Sequence, residues 1–513
     1  MENIAPRLSI LRAQDAARRR IFSIETIIKG FFGGNALVAV VVLALITIFL
    51  FREGFGFFGQ NLANLRLYRR AGLEYVDIMR AQADGHAALV RWLHQISLAE
   101  SVPNSREQID QFADKFSGAG TELSALVSDA GDQALALREA LAGREPGNVD
   151  IETPEADSEA ALAAPIDVKA SLESLRTNTA KFESVAISMK QNTQPLLNEA
   201  PQPSSEKAQK SFAKWKAGAV EYLNNLPKTV DQLRRWNPDV PIPWYRSVTS
   251  FLFGKNWVTA SFWQDWYGII PLLAGSILVS LVALVIAVPL GVSAAIYVSE
   301  VAASGEKRLI KPYIEFISAI PSVVLGFFGI AVVGQAIRAL SQTSFMKWVP
   351  FFPISERLNA VTAGCLLALM AIPTIFTLAE DALRNVPRGF KEASYALGAN
   401  RLQTIARVLV PASLSGIISA ILLGLGRVIG ETMVVLLCAG NRIAIPDFTQ
   451  GLGAFFQPVH TMTGIIAQEM GEVVRGSIHY RALFMVGLIL FVLTLGINYL
   501  AQKMVARYRM SIG

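Results

Sequence analysis

The chain has 513 residues, 52% of them hydrophobic and 17% charged, with a mean hydropathy of +0.39; it is far more apolar than an average soluble chain and points to membrane spans. Its net charge of +6 does not mark a nucleic-acid binder, because Lys and Arg gather at the ends of apolar runs instead of on one basic face. Cys365 and Cys438 both lie inside apolar runs, so no disulfide framework is indicated.

Residues 1–29 form a basic tail carrying Arg7, Arg12, Arg18, Arg19, Arg20 and Lys29. The apolar run at about 30–52 follows these basic residues as a secretory signal would. It is too long for a signal's apolar region, however, and no small-x-small cleavage site follows within Phe51 to Gln60, so it reads as a retained first span. Residues 53–265 are polar and helical in period: Leu73, Val76, Met79, Val90, Leu93 and Ile96 form one stripe, and Leu172, Leu175, Phe182, Val185 and Met189 another. Between the stripes, the stretch from Arg144 to Pro165, with Pro146, Gly147, Pro154, Asp157 and Glu159, reads as a linker or mobile loop. A second break near Pro201 to Ser205 precedes a helical stretch from Phe212 to Leu226, and Pro241, Pro243 and Trp244 lead back towards the membrane.

Five further runs follow, at about 268–298, 314–337, 358–379, 412–439 and 482–502. Each reaches the roughly 20 apolar residues that cross about 30 Å of hydrocarbon. The run at 268–298 is longer than one crossing needs, so part of it is expected to be tilted or bent, with Pro289 as a place for a bend; Pro321 and Pro373 are expected to interrupt the next two. Broken spans are tolerated where protein or water re-satisfies the freed backbone, so these helices should face protein or a path rather than lipid. The fold class expected is therefore an all-α membrane protein with six transmembrane helices and a large helical insert, residues 53–265, between helices 1 and 2.

With the N-terminus inside, the inner segments hold the tail residues, then Lys307, Arg308 and Lys311, then Arg384, Arg388, Lys391, Arg401 and Arg407, and finally Lys503, Arg507 and Arg509. The short outer loops hold little beyond Lys347, Arg357, Arg442 and Arg475. That imbalance selects N-in and C-in, which puts residues 53–265 outside. Trp257, Trp263, Trp266 and Trp348 then fall near the outer boundary, where an amphipathic indole is comfortable.

Two stretches carry chemistry. In the inner segment 384–411, Glu392-Ala393-Ser394 is followed by Gly398 and closed by Val408-Leu409-Val410-Pro411. This reads as two short helices joined by a turn, a pair that can lie along the membrane face and insert into a groove on a soluble partner. The bland alternative is an ordinary basic inner loop. The spacing resembles the coupling motif of ATP-binding-cassette importer permeases, Glu-Ala-Ala, a Gly four positions on, and Ile-x-Leu-Pro. Ser394, Val408 and Val410 depart from it conservatively.

In the fifth span, Gly424-Leu425-Gly426-Arg427-Val428-Ile429-Gly430-Glu431-Thr432 places two charges at i and i+4. Ionisable groups within hydrocarbon are costly and face a partner helix or a watery path. An intrahelical pair that merely makes the span tolerable is the competing reading, but Arg preceding Glu is the less favourable order. A guanidinium is permanently charged, and its forked donors suit a tetrahedral oxyanion. Glu431 would then hold Arg427 in the absence of an anion, or repel anions until the helix moves.

This stretch, closing with Gly440-Asn441, resembles the fifth span of the phosphate-specific permease family, PstC type, and Ala319-Ile320-Pro321-Ser322 with Gly326 is similar to the same family's third span. The resemblance covers about residues 266–513 well and implies an importer permease core of type I. By that resemblance the path or gate residues are Arg427, Glu431, Gly426, Gly430, Thr432, Pro321 and Ser322, and the ATPase-coupling residues are Glu392, Ala393, Ser394, Gly398 and Pro411. It implies as partners a second permease of PstA type, a cytoplasmic ATPase dimer of PstB type that binds the ATP, and a periplasmic phosphate-binding protein of PstS type, all at a bacterial inner membrane.

Other signatures are missing from the sequence. Gly254-Lys255 runs into Asn256 without the upstream glycine of a phosphate-binding loop, so the chain shows no nucleotide site of its own; there is no His-Glu-x-x-His, and His86, His94, His460 and His479 are scattered. Metal and nucleophilic catalysis therefore have no support. The competing readings are a permease for sulfate or molybdate, a signalling receptor, and an ion-coupled transporter. A receptor fits poorly because the chain ends soon after its last span, and an ion-coupled transporter leaves the coupling motif unexplained.

Overall fold

The computed structural model describes residues 5–142, 167–346, 348–349 and 351–508. The expected linker from Arg144 to Pro165 and the flanking residues Lys347 and Arg509 lie outside them. The chain divides into two compact units, one of Gly59–Thr249 and Val258–Trp266, the other of Met1–Phe58, Ser250–Trp257 and Tyr267–Gly513. Helix α1, Ala5–Arg70, runs without interruption through the expected tail and first span.

The smaller unit is helical. The last turns of α1 are followed by α2 (Leu73–Ala99), α3 (Pro103–Gly118), α4 (Thr121–Ala142), α5 (Val168–Asn198) and α6 (Glu206–Arg235). Gly72, at φ 77, makes the tight reversal from α1 into α2, a conformation that costs a Cβ-bearing residue. Asp167 caps α5 by accepting from Lys169 N at 3.0 Å, and Ser205 caps α6 by accepting from Ala208 N at 3.3 Å. Both predicted stripes face inward, with Val90, Leu172 and Val185 half-buried and the remaining members buried. At the centre Trp215 is fully buried among Phe112, Phe116 and Phe212, and its indole donates to the Leu89 carbonyl at 3.0 Å.

Glu100 ties three of these helices together at one end. Its carboxylate accepts from the backbone N–H groups of Ser101, Val102, Ser204 and Ser205, at 2.8 to 3.1 Å. Led by the bond from Ser205, these donors hold the Glu100 carboxyl below the usual carboxylate range. A folded-state value below the unfolded one means stability that is present above the unfolded pKa and lost as pH falls through the folded one. Thermal unfolding is therefore expected to show a drop in the midpoint of this unit below about pH 4.5. Glu100→Gln is expected to be less stable at neutral pH and to lack that part of the acid dependence; an unchanged acid limb would assign the dependence elsewhere.

Of the four tryptophans expected at a membrane boundary, Trp348 is 74% exposed, whereas the other three serve as packing residues. Trp263 lies under Arg80 at 3.6 Å and donates to Asp77 at 2.8 Å. Trp266 packs edge-on against Tyr68 at 5.4 Å, and Trp257 against Tyr267 at 5.4 Å.

In the larger unit the helices are α7 (Tyr245–Leu252, its first turn in the smaller unit), α8 (Ile270–Ile296), α9 (Ser304–Ala319), α10 (Ser322–Phe328), α11 (Gly334–Ser341), α12 (Ala360–Arg384), α13 (Arg388–Ala396), α14 (Arg401–Thr404), α15 (Val410–Ile429), α16 (Met433–Cys438), α17 (Met462–Glu469) and α18 (Ile478–Tyr508). Among the described residues, six stretches are long and apolar enough to cross a membrane: Ile28–Arg70, Ile270–Val301, Ser322–Ser341, Ala360–Arg384, Arg401–Ile429 and Ile478–Met504. The central one is α12, with 61% of its most apolar window buried, against 33% or less for the others. Small residues let its neighbours approach. A Cβ on Gly364 would lie 2.5 Å from Val282 of α8, and Cβ atoms on Gly291 and Gly424 would lie 3.0 and 2.7 Å from Ile375 of α12.

Two of the three prolines leave their helices continuous, Pro373 against expectation. Pro289 does not break α8, whose departure from α geometry is a π turn at Tyr297–Val301, and Pro373 sits buried inside an unbroken α12. Only Pro321 ends a helix, so the third span starts at Ser322 rather than near residue 314, with α9 a separate piece. The reason is local: the ring of Pro321 holds Ile320 extended, at φ −72 and ψ 124.

Candidate functional site

The 384–411 segment is built around a tight turn. Helix α13 ends with Gly398 at φ +83, its N–H donating to Tyr395 O at 2.9 Å while Ala399 N donates to Ser394 O at 3.2 Å. This is the double bond of a Schellman stop, and it is why glycine is needed at that offset. Asn400 then starts α14 with a reciprocal cap, accepting from Gln403 N at 2.8 Å and donating its own N–H to the Gln403 side chain at 3.0 Å. Ser394, the departure from Glu-Ala-Ala, is buried and hydrogen-bonds Thr404 across the turn at 3.0 Å. Glu392 and Ala393 are exposed, and the tip presents Leu397 and Leu402 at 88% and 72% exposure.

The second limb is not a separate short helix. Residues Arg401–Ile429 run as one rod through a π turn at Ile405–Leu409, where Val410 N–H donates to Ile405 O, five residues back. Pro411 follows with no N–H to donate, and the shifted register absorbs that loss at an exposed position.

The polar stretch of the fifth span also departs from expectation. Helix α15 stops at Ile429, so Arg427 is on the helix while Glu431 lies in the break that follows, not one turn further on the same face. Gly426 and Gly430 flank the break, where Gly430 N donates to Gly426 O at 3.2 Å. Thr432 opens α16, and the Glu431 carboxylate accepts from Met433 N at 3.2 Å, in the role of a capping acid. The Glu431 carbonyl accepts from Thr463 Oγ1 at 2.8 Å. Arg427 is exposed and donates to Thr374 Oγ1 of α12 at 3.0 Å. The two charged groups thus have different partners.

The same break collects hydroxyls from two helices. Ser276 and Ser280 of α8, Thr461 and Thr463 at the start of α17, and Glu431 line one small cavity. Ser276 Oγ accepts from Met462 N at 2.9 Å, and His460 Nδ1 accepts from Thr461 N at 3.0 Å, which leaves His460 Nε2–H to donate to Gln468 at 3.1 Å. Pro321 and Ser322 open α10, which packs on α16: Cys438 Sγ donates to Gly326 O at 3.2 Å. The two stretches predicted for the path therefore meet through α10 and α16, while Glu392 to Gly398 form a separate cluster. Thr374, Ser276 and Thr463 were not legible as site residues, since hydroxyls inside apolar runs carry no spacing signal.

Residues 287–509 match the family described as binding-protein-dependent transport system inner membrane component. The probable ABC transporter permease protein YqgH of Bacillus subtilis is 35% identical over 262 residues, covering 50% of this chain and 79% of that protein. The phosphate transport system permease protein PstC of Pasteurella multocida is 31% identical over 266 residues, covering 50% and 80%. This chain is a PstC-type ABC permease. Its all-α architecture with six membrane helices is the one expected, and its family is that of multi-pass inner-membrane permease subunits, which are not themselves enzymes and which work with an ATPase and a substrate-binding protein. An inward-facing structure of the MetNI methionine ABC transporter is 21% identical, with a TM-score of 0.34, over 47% of this chain and 94% of that one.

Proposed function

We propose that this permease carries inorganic phosphate inward across the bacterial inner membrane, as one half of a path completed by a second, PstA-type permease. What carries the reading is Arg427: a permanent cation on the exposed side of a membrane helix, next to the break at Gly430, with Thr374 taking one of its five donors. A forked cation of this kind suits a tetrahedral oxyanion, and the relatives at 28 to 32% identity that carry the PstC name are phosphate permeases by that name.

On this reading the N- and C-termini are cytoplasmic, Tyr395, Leu397 and Leu402 insert into a groove of a PstB-type ATPase dimer that binds the ATP, and the unit Gly59–Thr249 lies in the periplasm, where a PstS-type protein delivers phosphate. Closure of the ATPase dimer moves α13, the spans reorient, and the break at Gly430 to Thr432 supplies the flexible point beside Arg427.

The test is labelled phosphate uptake in vesicles holding the permease with the subunits encoded beside it. Uptake should require ATP and be competed by unlabelled phosphate but not by sulfate or molybdate. Equal competition by sulfate would move the substrate to another oxyanion, and uptake without the ATPase would remove the ATP-driven reading.

A further inference from the structure

The end of α8 nearest the docking turn carries a buried acid that the reading above does not use. Glu300 sits in the π turn Tyr297–Val301, closed by Ala302 N donating to Tyr297 O at 2.8 Å. It is 8% exposed. Its carboxylate takes the Lys391 ammonium of α13 on both oxygens, at 2.7 and 2.5 Å, and the Ser299 hydroxyl at 3.1 Å. The Arg401 guanidinium, at the start of α14, donates to the Glu300 carbonyl and also to the Val301 carbonyl at 3.4 Å. Both limbs of the docking turn are thus tied to one point on the second span, from residues 91 and 101 positions away.

We infer that Glu300 is a positioning residue that links the ATPase-docking helix α13 to the second span, so that movement of α13 drives α8 and, through α8, the central helix α12. A carboxylate buried against an ammonium is costly to expose or to leave unpaired, so the contact holds its geometry under load. The two ends differ in what they can do when separated: Lys391 is 33% exposed in its side chain and can turn to water, whereas Glu300, at 7%, cannot. Beyond the contact, α8 lies along α12 through the glycine approaches at Gly364 and Gly291, a close-packed pair that moves as a unit. Ser394 and Thr404 tie α13 to the rod of the fifth span. Among the described residues, helix α13 is therefore held by one polar link to each of two spans, and the Glu300 link is the ionic one. Local π geometry is where helices commonly accommodate functional movement.

The inference rests on the docking role proposed for α13, and the two fail differently. Leu397→Asp, at the exposed tip, tests docking: if the ATPase still co-purifies with that variant, the docking reading fails whatever Glu300 does. Glu300→Gln tests the link in the full transporter, reconstituted with its ATPase, sister permease and binding protein, with labelled inorganic phosphate as the probe. The ATPase should still co-purify with Glu300→Gln and hydrolyse ATP, while phosphate taken up per ATP hydrolysed falls at least tenfold. Glu300→Asp, one methylene shorter and gentler on folding, should give an intermediate ratio. A wild-type ratio in either variant overturns the inference. So does loss of ATPase binding in step with loss of uptake, because that would make Glu300 a contact for folding alone.

Discussion

Arg427→Gln is expected to reduce phosphate uptake by about ten- to a hundredfold, because one charge-assisted hydrogen bond contributes about 1.5–3 kcal/mol and Gln offers neither the charge nor the fork. The chain should still reach the membrane and hold its ATPase, since Arg427 is exposed and its observed partner is the single hydroxyl of Thr374. Arg427→Lys retains charge without the planar fork and should recover part of the uptake. Thr374→Val provides a second reading of the same contact. If Thr374 only steadies the guanidinium, the half-saturating phosphate concentration should rise a few-fold with little change in maximal rate. Uptake of Arg427→Gln at the wild-type level, with normal assembly, would remove Arg427 from the path.

Gly275→Ala should be strongly damaging for a single added methyl in the larger unit. A Cβ on Gly275 would fall inside the contact distance of the His460 carbonyl oxygen and lie 3.0 Å from its carbon, both backbone atoms that cannot rotate away. The substitution therefore has to separate α8 from the segment entering α17, breaking the bond from Met462 N to Ser276 Oγ and opening the hydroxyl cluster at the Glu431 break. Overpacking of a tight core costs about 1–3 kcal/mol, and a clash with rigid backbone belongs at the upper end or beyond. A clear fall in the unfolding temperature of the detergent-purified protein, and in its level in membranes, is the expected result. Ser276→Ala, which loses only the hydrogen bond, should sit between the two. An unperturbed Gly275→Ala would show that the two segments do not approach as described.

Much of this molecule is written in short-range pattern. Hydropathy over about 20 residues is enough to count six spans, though not to set where the third begins, and a 3.6-residue period is enough to orient α2 and α5 in the helical unit. The turn at Gly398 was legible for the same reason, because a left-handed stop followed by an Asn cap is a property of six neighbouring residues. Proline was the weak signal. Pro289, Pro321 and Pro373 look alike along the chain, yet only Pro321 ends a helix, because Pro289 and Pro373 lie in helices packed against each other, where tertiary contacts offset the lost backbone bond.

The charged break of the fifth span marks the boundary between the two kinds of information. That Arg427 and Glu431 are ionisable groups in an apolar run is plain from the residues, and so is the cost of placing them there. Where the helix stops is settled by Thr463 and the Met433 N–H, which give Glu431 a place outside α15, and by Thr374, which takes Arg427 from 53 positions away. In the same way nothing near Glu300 announces Lys391. Spans and stripes depend on each residue's own partition between water and an apolar surface, and so they can be read one segment at a time. Pairings depend on which helices touch, and that is set by glycine approaches whose other half, Val282, Ile375 or the His460 carbonyl, lies far off in the chain and becomes a neighbour only once the bundle has closed.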